Sequence, residues 1–206
     1  MRAVWIDEPT EVQNYPALRG LEVTQIFFSE RRHTLAHLQQ ARGQGFQVGL
    51  YTNPQWYNFA DPVQLAKNLN KVLIDRFQVT TAGVQCDVQI NYETHDPDYI
   101  VNYFTQWRKQ RPTRETSWTM EGHQAGWAWP AMNHPVLLGN SADSRTVTKL
   151  VPQAYDGSMN RWDSAGVVND LTLHGIRSDR IMPFNEVHEL RTPYSYGFFY
   201  LEHLLY

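Results

Sequence analysis

The sequence predicts an α/β fold: a minimal (β/α)8 TIM barrel in a single domain spanning residues 1–206, with its last helices reduced or missing. Three observations predict it. Short apolar runs alternate with longer amphipathic segments, and the alternation repeats along the chain. Eight such runs can be traced. Carboxylates stand at seven of the eight run ends, where barrels of this kind carry their chemistry. The competing architecture is a doubly wound open sheet. It would need a glycine-rich phosphate loop after strand one, and Asp7-Glu8-Pro9-Thr10 is not such a loop.

Strand one is Ala3–Asp7. A short segment, Tyr15–Leu21, precedes strand two at Val23–Ser29. A helix from Arg31 to about Gly43 follows, with Leu35, Leu38 and Arg42 at helical spacing, and Gly43 and Gly45 end it. Strand three is Gln47–Thr52. Asp61-Pro62 then opens a helix, with Asp as N-cap, Pro in the first turn, and Leu65, Leu69, Val72 and Leu73 on its inner face. Strand four is Gly83–Asn91. A second Asp-Pro pair, Asp96-Pro97, leads the helix carrying Ile100, Tyr103, Phe104 and Trp107, which Pro112 closes.

Strand five is Thr116–Glu121. Pro130, Pro135, Gly139 and Asn140 break up the stretch from Gln124 to Thr148, which predicts a short irregular helix and a loop. Strand six is Leu150–Tyr155, followed by a helix over Asp163–Leu173 that His174-Gly175 caps. Strand seven is Arg180–Phe184 and strand eight Gly197–Leu201. At 206 residues the chain is shorter than the roughly 250 of a typical barrel. Little room remains for a helix between strands seven and eight, and Leu204-Leu205-Tyr206 follow the last strand too closely for an eighth. One flank of the barrel is therefore expected to be bare and to take other protein subunits as partners.

Composition excludes several function classes. The net charge is −3, and the only basic cluster, Arg108, Lys109, Arg111 and Arg114, sits where a helix ends and cations favour the helix dipole. No nucleic-acid partner is expected. No stretch nears the roughly 20 apolar residues that span a bilayer. Ala3-Val4-Trp5-Ile6-Asp7 after Met1-Arg2 is too short for a signal peptide, so the chain is expected to be cytoplasmic as synthesised. A single cysteine, Cys86, excludes an internal disulfide and is expected to pack rather than react.

The strand ends supply the candidate site. They carry Asp7 on strand one, Ser29-Glu30 on two, and Thr52-Asn53 on three with Trp56 and Tyr57 just beyond. Asn91-Tyr92-Glu93 follows strand four, Glu121-Gly122-His123 five, Tyr155-Asp156 six, Asn185-Glu186 seven and Glu202-His203 eight. Glycoside hydrolysis needs two carboxyl groups flanking the bond, one protonated as acid and one ionised as nucleophile or base. Crowded carboxylates raise the pKa of at least one of their number. Glu93 is the first candidate for the acid, with Asp7, Glu121 or Glu186 as its partner. Asp156, Tyr155, Trp56, Tyr57, Asn91 and His123 are candidates for holding a polysaccharide.

Aromatics make up 13% of the chain; they are the usual platforms for sugar rings and also fill barrel cores. Trp5, Trp56, Tyr57, Trp118, Trp127, Tyr155 and Trp162 are candidates to stack on sugar rings near the mouth, and Trp5 and Trp118 are equally candidates for the core. His95, His123 and His188 fall just past strand ends, where they would tune carboxylates or bind a sugar hydroxyl. His33 and His37, four apart, are expected on an exposed helix face. A metal set of His123, His188 and Glu121 would be like that of metal-dependent hydrolases, but the His-x-His that many of those carry on strand one is absent. No metal or other cofactor is expected. Ser29 and Ser158 lack a Gly-x-Ser-x-Gly setting, which disfavours a serine hydrolase.

Asp7 on strand one and the Asp87–Glu93 stretch on strand four resemble the layout of lysozyme-type muramidases and related glycoside hydrolase-like barrels. In those families an Asp on strand one and a Glu ending strand four belong to the site. The large clan of retaining glycosidases is a second resemblance, with Asn-Glu after strand four and a nucleophilic Glu after strand seven; here stand Asn91-Tyr92-Glu93 and Asn185-Glu186. The muramidases usually carry Asp-x-Glu at strand four, where this chain has Asn91. The resemblance implies an enzyme of bacterial cell-wall or capsular polysaccharide, or a barrel that has lost the reaction. The Trp- and Gln-rich texture also resembles short proteins of bacteriophages of actinobacteria. That implies a minor tail protein assembled into a virion.

Overall fold

A computed structural model describes residues 2–6, 15–57, 60–79, 87–91, 96–110, 116–121, 149–153, 164–173, 175–181, 184–186 and 197–199. Its strands are β1 (Arg2–Ile6), β2 (Val23–Ser29), β3 (Gln47–Thr52), β4 (Asp87–Asn91), β5 (Thr116–Glu121), β6 (Lys149–Gln153), β7 (Phe184–Glu186) and β8 (Gly197–Phe199). Each pairs in parallel with the next, and β8 returns to β1 through Ala3↔Gly197 and Val4↔Phe198. The ring of strands is closed, which rules out the open doubly wound sheet. Five helices are described around it: α1 (Tyr15–Gly20), α2 (Leu35–Gly43), α3 (Pro62–Phe77), α4 (Pro97–Gln110) and α5 (Ser164–Leu173). The expected loss of the last helices, and the bare flank with it, falls mostly outside the described residues. Among those residues no helix is long and apolar enough to cross a membrane.

The twin Asp-Pro signals act as expected. Asp61 Oδ1 accepts from the Val63 N–H at 2.9 Å, and Asp96 Oδ1 from the N–H groups of Asp98 and Tyr99 at 3.0 and 3.2 Å. Each carboxylate satisfies donors that the first helical turn leaves unpaired. Leu65, Ala66, Leu69, Leu73 and Phe77 of α3 are buried, as are Ile100, Tyr103, Phe104 and Trp107 of α4. Gly45 at φ +87° and Gly175 at φ +88° take the left-handed conformation that follows α2 and α5.

Two expectations are corrected. The second helix begins at Leu35, not Arg31. The N–H groups of Arg32 and His33 both turn back onto the Ser29 carbonyl, at 3.3 and 3.1 Å, and Thr34 is extended as N-cap. Strand seven lies at Phe184–Glu186, downstream of its expected position. Ser178–Arg180 form a single 3-10 turn braced by the Arg177–Asp179 ion pair, and Ile181 makes only an isolated bridge to Leu150. Strands one and six begin one residue earlier than expected, at Arg2 and Lys149, and the expected ends of strands one, six and eight lie outside the described residues.

The core has two layers. Val4, Ile6, Ile26, Phe28, Val48, Leu50, Trp118 and Leu150 join one cluster with the inner faces of the helices, and Phe104 of α4 meets Trp118 at 5.9 Å. The alternate residues Ala3, Trp5, Phe27 and Tyr51 are equally buried but stand outside that cluster. In a parallel barrel they are the residues that fill the interior. Trp5 and Phe27 stack there, ring centroids 5.0 Å apart and planes within 9°.

Candidate active site at the C-terminal mouth

Because every pairing is parallel, the C-terminal ends of all eight strands share one end of the ring. Ser29 lies opposite Tyr51, Tyr51 opposite Gln89, Asn91 opposite Thr119, and Glu121 opposite Gln153. Counting in twos from Phe27 puts Ser29, with its register partner Tyr51, on one alternation. This alternation is the interior one.

Ser29 closes β2 on that interior face, fully buried, and among the described residues its Oγ has no hydrogen-bond partner. A buried hydroxyl without a partner is costly, which makes it a natural contact for an incoming ligand oxygen. Beside it Tyr51 meets Trp56 edge-on, with 6.2 Å between ring centroids. Trp56 belongs to a 3-10 turn, Pro54–Tyr57, and is half-buried. The Arg31 guanidinium lies 5.9 Å from its ring centroid, close enough for a cation–π contact.

The neighbouring residue, Glu30, belongs to the other face. Its alternation follows Phe28, and its side chain is fully buried toward the helices. The Thr52 hydroxyl donates to its Oε1 at 3.3 Å, and the Tyr57 hydroxyl donates to the same oxygen. Arg76, near the end of α3, pairs with Oε2 at 3.4 Å and also donates to the His33 carbonyl at 3.4 Å. Burial raises the Tyr57 phenol well above its ordinary value, and the hydrogen bond to the Glu30 carboxylate and its negative charge raise it further. Glu30 thus joins the β2–α2 turn, the Trp56-Tyr57 turn and α3, holding the mouth from behind.

Of the residues predicted for the site, Trp56 and Tyr57 are brought together with Arg31 and Glu30. Asn91, Glu121 and Glu186 end their strands at the common rim. Asp7, Glu93, His123, Tyr155 and Asp156 lie outside the described residues, as do Trp127, Trp162, Cys86, His95, His188 and Ser158. Trp5 and Trp118 are core residues rather than sugar platforms, at 4% and 0% exposure. Tyr57 turns its hydroxyl to Glu30, so its polar end serves the clamp.

His33 is not on an exposed helix face. It is buried, packs on Phe28 and His37 at 5.0 and 5.3 Å, and its Nδ1 donates to the Ser29 carbonyl at 3.1 Å. His37 Nδ1 accepts from the Thr34 N–H at 3.2 Å, doing at the start of α2 what a Glu or Gln side chain does in a capping box. Among the described residues no three His, Cys, Asp or Glu side chains converge as a metal site would require. Sequence reasoning named Ser29-Glu30 as a strand end and passed over Glu30 and Arg31 as members of the site. The signal that finds Glu30 is its two-residue spacing from Phe28, which assigns it to the helix side.

No protein-family model matches the chain. No curated protein sequence matches it. Among solved structures it is similar to a GH18 chitinase from Pseudoalteromonas aurantia, with 10% identity and a TM-score of 0.61, over 97% of this chain and 93% of that one. It also overlays on the glycoside hydrolase domain of PelA from Pseudomonas aeruginosa, with 10% identity and a TM-score of 0.47, over 96% and 98% of the two chains. The chitinase likeness shows a shared fold.

Proposed function

We propose that the chain binds a polysaccharide across the C-terminal mouth of its barrel and hydrolyses it, with Glu93 as general acid. What supports this reading is the parallel register, in which β4, β5 and β7, ending in Asn91, Glu121 and Glu186, have their C-terminal ends on the same side of the ring. Glu93 follows Asn91 by two residues. Asp7, Glu121 and Glu186 are the partners from which the second carboxylate is drawn, and Asp156, Tyr155, Trp56 and His123 the groups that hold the sugar. The likeness to a chitinase fold supports polysaccharide as the substrate class, and a bacterial surface polymer is the form we favour. The acid protonates the leaving oxygen while the partner carboxylate attacks the anomeric carbon or activates water.

A specific observation favours a second reading. The residue two before Glu93 is Asn91, where muramidase-like barrels carry Asp, so one negative charge that would help hold the acid protonated is missing. A barrel that binds glycan without cutting it, as a phage tail component would, fits that substitution. One assay separates the two. Incubation with wall and capsular polysaccharides is expected to release reducing ends, and Glu93→Gln to abolish the release with the melting temperature unchanged. Retained glycan binding without release by the wild type would establish the second reading instead.

A further inference from the structure

We infer that Arg31, Trp56 and Ser29 form a subsite for an acidic sugar unit, a pyranose carrying a carboxylate. The inference rests on the polysaccharide reading above and names its substrate class. Arg31 is exposed, and among the described residues no carboxylate pairs with it. The adjacent residue's carboxylate, on Glu30, is buried on the helix side and engaged by Arg76, Tyr57 and Thr52. Among the described residues the Arg31 charge is therefore uncompensated, in a chain whose net charge is −3. A guanidinium held near an indole face keeps N–H donors with which it can take a carboxylate through two parallel hydrogen bonds.

The same few residues supply the rest of a sugar site. Trp56 offers apolar ring surface, and its edge contact with the interior-facing Tyr51 ties it to the barrel mouth. Ser29, register partner of Tyr51, offers a buried hydroxyl with no partner of its own. A neutral sugar would leave the guanidinium unmatched, whereas an acidic one meets cation, ring and hydroxyl together. The Glu30 clamp fixes both segments that carry these groups, so little ordering is left for the ligand to impose.

Calorimetric titration of the full chain tests the inference, with oligogalacturonate, hyaluronan and alginate fragments and with each of these after carboxyl reduction. At least one acidic fragment is expected to bind about tenfold tighter than its reduced form, with the gap narrowing in about 0.5 M salt. Arg31→Ala should erase the gap, Arg31→Lys should keep part of it, and Arg42→Ala, the same charge change on exposed α2, should keep all of it. Equal binding of acidic and reduced fragments, or a gap that survives Arg31→Ala, overturns the acidic subsite and leaves the polysaccharide reading standing. Displacement by inorganic phosphate but not by acetate would reassign the site to a phosphate, overturning the carboxylate. No binding of any fragment, acidic or reduced, overturns both.

Discussion

Ser29 and Glu30 are consecutive, polar and fully buried, yet the chain treats them in opposite ways. Glu30 faces the helices and is met by Thr52, Tyr57 and Arg76. Ser29 faces the interior and its hydroxyl meets nothing. Burial alone therefore does not distinguish a structural polar group from one open to a ligand; Ser29 differs in its interior face together with its unmatched hydroxyl, whereas the Tyr15 hydroxyl, also unmatched, lies in the helix-side core. The carboxylate with every partner in place is the residue to expect in the framework. The unmatched hydroxyl on the interior face, at the end of β2, is the one to test for a ligand.

Three substitutions would break or sharpen this contrast. Glu30→Ala should cost the most, about 2–3 kcal/mol in chemical denaturation, because it strips the partner from Arg76 and from two hydroxyls at once. Tyr57→Phe should cost about 1 kcal/mol near neutral pH, one hydrogen bond to a charged acceptor. It should also change the alkaline limb of stability. The Tyr57 phenol holds its proton more tightly folded than unfolded, so its contribution is intact below the unfolded value of about 10 and fades as pH rises above it. Wild-type stability should fall more steeply than that of Tyr57→Phe between about pH 9 and about pH 11.

Ser29→Ala should cost least, within about 0.5 kcal/mol of wild type or slightly stabilising, since no protein hydrogen bond is lost. Its effect should appear in glycan affinity, about five- to tenfold weaker by titration. If Ser29→Ala destabilised the fold as much as Glu30→Ala, the hydroxyl would belong to the framework and the contrast would collapse.

The parts of the fold legible in the sequence are those set by local chemistry. Asp61-Pro62 and Asp96-Pro97 marked two helix starts because carboxylate caps and a proline-compatible first turn are local devices. The four apolar residues of α4 followed from spacing alone. Strand seven was misplaced because Ile181 and its neighbours have strand-like composition, while the Arg177–Asp179 pair and the turn it braces oppose extension there. His33 was misassigned because its place depends on how β2 ends. Two N–H groups returning to the Ser29 carbonyl delay the helix and turn the ring inward. The site was legible as a list of strand ends, but the sorting of Ser29 from Glu30 was not. That sorting depends on partners 22 to 46 residues away, which no local pattern encodes.

The Trp5–Phe27 stack sets the depth of the mouth. Phe27 lies two residues below Ser29 on the same strand, about 7 Å down at strand rise, and Trp5 is its register partner on β1. Two flat rings at that level make a floor. On the proposed reading, such a floor would stop a polymer at the mouth from threading inward along the barrel axis.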